Sequence, residues 1–120
     1  MWIIKGDTMS YSVKKTTITL TRGDTFKAQI SLTDAEGNPY VPQEGDSIRF
    51  AVKKDYKDPD RKVLIVKEVP LDTMILTLEP EDTKEMDFGE YVYDIQLTNS
   101  AGEVDTFIDK SIFILTEEVY

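Results

Sequence analysis

Along residues 25–33 apolar and polar side chains alternate. Phe26, Ala28, Ile30 and Leu32 fall on one side, and Thr25, Lys27, Gln29, Ser31 and Thr33 on the other. A strand with one face in a core and one in water reads this way, because successive side chains of extended backbone point to opposite faces. The same period returns in 47–53, where Ile48, Phe50 and Val52 face inward, and in 90–98, where Tyr91, Tyr93, Ile95 and Leu97 do. Less regular apolar runs at 17–21, 62–69, 73–79 and 104–116 bring the count to about seven strands. Turn signals separate them: Arg22-Gly23-Asp24, Glu36-Gly37-Asn38-Pro39, Glu44-Gly45-Asp46, Lys57-Asp58-Pro59-Asp60 and Asn99-Ser100-Ala101-Gly102. Only 80–87 reads as helical, for one turn or two, with Pro80 suited to a first helical position and Gly89 to a stop. The pattern predicts two packed sheets around Phe26, Ile30, Ile48, Phe50, Tyr91, Ile95, Leu97 and Phe113.

Composition sets the scale of that sandwich. With 120 residues and a 40% apolar fraction the chain can build one core. Residues 17–120 are expected to form the domain and residues 1–16 an N-terminal arm or extra strand. The 14 basic against 23 acidic residues leave a net charge of −9, which repels phosphate backbones and anionic lipid headgroups. Neither nucleic acid nor a membrane is therefore an expected partner. The opening run Trp2-Ile3-Ile4 is too short for a signal-peptide core, so synthesis and retention in the cytoplasm are expected, unless an assembly carries the chain out.

Candidate chemistry is thin. Cysteine and histidine are both absent, which removes thiolate and histidine-based catalysis together with the usual zinc sites. Asp55, Asp58 and Asp60 cluster as calcium ligands do, but their spacing is not that of an EF-hand and a solvated acidic loop accounts for them. Glu79, Glu81, Asp82, Glu85 and Asp87 include pairs of the kind glycosidases use, without a sign of the deep cleft such enzymes need. Arg22-Gly23-Asp24 matches the tripeptide that integrins read, yet a tight turn between two strands explains it. No catalytic, cofactor-binding or metal-ligating residue is assigned, and the chain is expected not to be an enzyme. The strongest functional sign is apolar: Val63, Leu64, Ile65 and Val66, and again Ile112, Phe113, Ile114 and Leu115, are apolar on both strand faces. Something must cover the second face of each run, either the chain's own N-terminal arm or a partner, a second copy included, bound at a sheet edge that both runs are expected to share.

The segment Gly89-Glu90-Tyr91-Val92-Tyr93-Asp94-Ile95 resembles the tyrosine-corner strand of immunoglobulin-like domains, with Tyr91 as the corner and Gly89 before it. Tyr93 takes the usual Cys position, so the resemblance does not extend to antibody-type domains. The predicted fold is an all-β, immunoglobulin-like antiparallel β-sandwich of about seven strands with one short helical turn before the tyrosine-corner strand.

From residue 17 to 119 the chain is more specifically similar to the immunoglobulin-like domain of phage baseplate upper proteins and related small prophage tail proteins of Gram-positive bacteria. Four stretches carry the likeness: Leu20-Thr21-Arg22-Gly23-Asp24-Thr25-Phe26, Asp34-Ala35-Glu36-Gly37-Asn38-Pro39, Ile48-Arg49-Phe50-Ala51-Val52-Lys53-Lys54 and Gly89 to Leu97 leading into Gly102. This resemblance implies a non-enzymatic virion part, a tail or baseplate adaptor or accessory module. Its partners would be other phage structural proteins, held together in a symmetric assembly that is often trimeric or hexameric, with self-association into a homo-oligomer as a further expectation. The alternative is a carbohydrate-binding or adhesive sandwich with Tyr40, Tyr56 and Trp2 as stacking aromatics.

Overall fold

The alternating runs fold as strands with their apolar sides turned inward. The computed structural model describes residues 2–6, 12–14, 17–32, 38 and 40–117. Its strands are β1 (Trp2–Gly6), β2 (Ser12–Lys14), β3 (Thr17–Thr21), β4 (Phe26–Leu32), β5 (Ser47–Lys53), β6 (Ile65–Val69), β7 (Ile75–Leu78), β8 (Gly89–Thr98) and β9 (Val104–Thr116). A 3-10 turn (Asp60–Lys62) precedes β6, and a one-turn helix α1 (Pro80–Thr83) precedes β8. The strands β3 to β9 are the seven expected; β1 and β2 come from the N-terminal segment. Of the expected turn Glu36-Gly37-Asn38-Pro39, all but Asn38 lies outside the described residues, as does the end of the chain from 118 to 120.

A three-stranded sheet in the order β1-β4-β7 packs on a six-stranded sheet in the order β2-β3-β9-β8-β5-β6. This is the immunoglobulin-like arrangement: β4 and β7 stand where strands B and E do, β5, β8 and β9 where C, F and G do, and β6 adds a fourth strand beside C. One ladder departs from the expected antiparallel sandwich, since β3 runs parallel to β9 with Ile18 opposite Phe113 and Leu20 opposite Leu115. Parallel neighbours need a long connection between them. Here the whole domain between its first and last core strands supplies it.

Inward positions from both sheets form one core in which Phe26, Phe50, Phe113, Ile18, Leu20, Ile30, Ile48, Leu76, Leu78 and Ile95 are fully buried. All eight residues expected there are buried. Phe50 anchors the centre, with its ring centroid 5.2 Å from Tyr93 and 6.3 Å from Phe113 in an edge-on contact.

Two strands are shorter than their apolar runs. Strand β6 begins at Ile65 rather than near 62, because Asp60–Lys62 closes a 3-10 turn that Lys53 holds through Asp60 Oδ1 at 2.8 Å and the Asp58 carbonyl at 3.0 Å. Strand β7 begins at Ile75 because Met74 takes a left-handed backbone with φ +56° that no strand continues. The helix stops after one turn. Pro80 opens it, the Glu79 N–H donates to Asp82 Oδ2 at 2.7 Å, and Asp82 also meets Lys67 of β6 at 3.0 Å.

Candidate functional site

The outer face of the six-stranded sheet is where side chains accumulate that the core does not use. Its composition follows from the period of two and from which residues stand opposite one another. Across β9, β8, β5 and the start of β6, one row reads Ile112, Val92, Lys53, with Leu64 just before β6 at the same level. The next row on three of those strands is Asp94, Ala51 and Val66, and the next is Gln96, Arg49 and Glu68. Ile114 and Glu90 flank the first row on the other side. An apolar path therefore runs diagonally over the sheet from Ile114 and Ile112 through Val92 and Ala51 to Val66 and Leu64. Val66 and Leu64 are about half exposed, at 49% and 48%, although both are large apolar side chains.

The structure corrects the expected interface in two respects. Ile65, Phe113 and Leu115 are buried and face the sandwich core, so they do not belong to a partner surface. Alternation demands this: in each run every second side chain points inward. The two runs also do not share one sheet edge. Val66 lies on the edge strand β6, whereas β9 is interior, flanked by β3 and β8. Val63 follows the 3-10 turn and is half-buried, which leaves Leu64, Val66, Ile112 and Ile114 as the outward members.

The two ways of covering that face can be compared directly. Strand β1 pairs along β4 at the edge of the smaller sheet, and β2 pairs along β3 at the edge of the larger one. The described residues of the arm thus widen both sheets sideways and do not lie across β8, β5 and β6.

Charge on the face is sorted by strand. Outward from β5 stand Arg49 and Lys53; outward from β8 stand Glu90 and Asp94. Arg49 Nη2 donates to Gln96 Oε1 at 3.0 Å, and Gln96 Nε2 donates to Asp94 Oδ2 at 3.3 Å. Partial burial holds the Asp94 carboxyl above its ordinary value, although Arg49 and Lys53 pull the other way. Opposite Asp94 the ladder to β9 is irregular, stepping from Tyr93 opposite Ser111 to Ile95 opposite Ile108. Sequence reasoning missed Val92, Ala51, Arg49 and Asp94 as members of the face. Val92 was within reach, as an apolar residue at an outward position of a strand whose inward set was already assigned.

Several of the remaining candidates serve the fold. Tyr91 makes the corner: its hydroxyl donates to the Asp87 carbonyl at 2.7 Å, four residues upstream. Gly89 takes φ +136°, a conformation open to glycine. Arg22 of the Arg22-Gly23-Asp24 turn is drawn inward, giving Nη1 to the Met86 carbonyl at 3.1 Å and laying its guanidinium 4.4 Å over the Phe88 ring. The Gly23 N–H donates to the buried Thr83 Oγ1 at 2.8 Å, so this turn is docked on the α1 segment and not presented as a loop. Asp55 and Asp58 accept backbone N–H groups of their own loop and Asp60 pairs with Lys53. Among the described residues no group of three or more Asp or Glu is placed to hold a metal ion. Of the proposed stacking aromatics, Tyr40 packs against the core and donates to Asp46 Oδ2 at 2.7 Å, Tyr56 is exposed, and the Trp2 side chain lies outside the described residues.

No family model, curated protein or solved structure matches the chain. Among the described residues no helix is long and apolar enough to cross a membrane.

Proposed function

We propose that the chain is a non-enzymatic structural protein of a phage or prophage tail or baseplate, an adaptor or accessory module that acts through protein-protein surfaces. In this reading it is made in the cytoplasm and incorporated into the virion, with other phage structural proteins as partners and neither nucleic acid nor membrane contacted directly. The observation that carries it is the outer face of the large sheet. A strip of Ile112, Val92, Ala51 and Val66, bordered by sorted charges and left uncovered by the described part of the arm, is what a domain that works by docking presents. The likeness of the Leu20 to Phe26 and Gly89 to Leu97 stretches to phage immunoglobulin-like domains supplies the biological setting.

The test is mass spectrometry and immunogold labelling of phage particles purified from the strain that encodes the chain. The reading expects the chain in intact particles at a fixed ratio to the tail proteins, and loss of incorporation for Val66→Glu with the fold intact. Intact particles that lack the chain overturn the reading.

A further inference from the structure

The sorting of charge by strand specifies the partner of the outer face. We infer that this face is an isologous interface: two copies of the chain pack face to face through β9, β8, β5 and β6, about a two-fold axis parallel to the strands and lying between β8 and β5. The inference rests on the reading of that face as a docking surface and names its occupant.

Such an axis keeps each row at its own level and reverses the order of strands. It lays β5 of one copy over β8 of the other, and β6 over β9. The cationic strand, with Arg49 and Lys53 outward, then stands over the acidic strand, with Asp94 and Glu90 outward, and this happens twice by symmetry. Arg49 falls on the Gln96 row with Asp94 one row away. It has donors for the second copy beyond the one given to Gln96, because a guanidinium carries five N–H groups. Lys53 is less available, being held by Asp60. At the margins Leu64 of one copy meets Ile112 of the other, with Val66 beside it. The two apolar runs, which lie on opposite sides of a single face, become each other's cover.

Charge and area both favour this occupant. The chain as a whole is at −9, so two copies brought together at random repel, yet the outward charges of β5, β8 and β6 on this face are nearly balanced, with Arg49 and Lys53 against Glu68, Glu90 and Asp94. A patch four strands wide and about six residues long spans roughly 19 by 20 Å. With side-chain relief the pair buries about 1,000 Å² in total, the lower bound for a specific interface, so a weak dimer is expected.

Sedimentation velocity on the full chain tests this from about 10 μM to about 1 mM, the range in which an interface of that size dissociates. Wild type is expected to shift from monomer to dimer. Arg49→Glu alone and Asp94→Arg alone each place like charges across the axis twice and weaken the dimer by about tenfold or more. The decisive sample is an equimolar mixture of the two variants. In a two-fold pair of one of each, every 49–94 contact again joins opposite charges, so the mixture dimerises although neither variant does alone. Circular dichroism on each variant checks that the fold is kept. A wild type that stays monomeric at about 1 mM, or a dimer that the two variants and their mixture leave unchanged, overturns the inference. Incorporation into particles, lost with Val66→Glu, is a separate measurement, so a monomer that is still incorporated through this face removes the second copy as occupant without removing the docking surface.

Discussion

At the scale of single residues, Tyr91 and Gly45 show how the backbone is held. The Tyr91 ring is buried and its hydroxyl spans the bend to Asp87. Tyr91→Phe keeps the ring and removes that bond, leaving a carbonyl short of a partner, and is expected to cost about 1 kcal/mol by urea denaturation. Gly45 combines two constraints: a φ of +91° and an added Cβ that would lie 2.6 Å from the Ser100 Cβ. Gly45→Ala is therefore expected to cost about 1–3 kcal/mol. Ser100→Gly in the same chain should recover the steric part and leave the backbone part, which a double-mutant cycle separates. Alkaline pH probes the phenols. Burial pushes Tyr93 and Tyr91 upward, and the bond to Asp46, with burial behind it, pushes Tyr40 upward. A phenol whose folded value exceeds its unfolded one favours the fold while protonated. The stabilisation is complete below about pH 10 and is lost as pH rises through the folded values. Urea midpoints should fall steeply above about pH 10, and Tyr93→Phe should flatten that fall.

Among the elements, the join between α1 and β6 depends on one carboxylate. Asp82 accepts the Glu79 N–H at the start of the helical turn and meets Lys67 on the edge strand, and the turn in turn holds Thr83 against Gly23. Asp82→Ala removes a cap and an ion pair together and is expected to cost about 1–2 kcal/mol, whereas Lys67→Ala, which spares the cap, should cost less than about 1 kcal/mol. Thermal melts of the two variants make the comparison. Within the acidic stretch from Glu79 to Asp87 the Asp82 carboxylate thus has structural work, and the backbone carbonyl of residue 87 is the acceptor of the tyrosine corner.

For the whole molecule, the two strands described in the N-terminal segment extend the sheets of the sandwich. Strand β1 covers the edge of β4 from Trp2 opposite Leu32 to Gly6 opposite Ala28, and β2 covers the edge of β3. Open strand edges are templates for pairing with other chains. Deleting residues 1–16 is expected to lower the melting temperature and to produce aggregation on heating, read by circular dichroism and light scattering. A deletion that melts like the full chain and remains dispersed would show that β4 and β3 tolerate bare edges.

Period and turn chemistry are local, which is why the sequence alone determined the seven domain strands, the buried set from Phe26 to Phe113, the short helical turn and the Tyr91 corner. A period of two settles which residues share a face, and Gly, Asn, Asp and Pro settle where a run must reverse. Starts set by a side-chain contact or by the backbone conformation of one residue leave no mark on the period and were not legible. Lys53 fixes the turn that shortens β6, and the backbone of Met74 truncates β7. Nor could periodicity reveal which strands are neighbours. Ile112 and Ile114 look equally outward whether β9 is an edge or lies between β3 and β8, and Arg49 and Asp94 look like ordinary solvated charges until β5 is set beside β8. The outer face exists only through cross-strand register, a relation between residues far apart in the chain. Hydrogen-bonded pairing and burial of the shared core decide that relation, and these belong to the folded molecule as a whole.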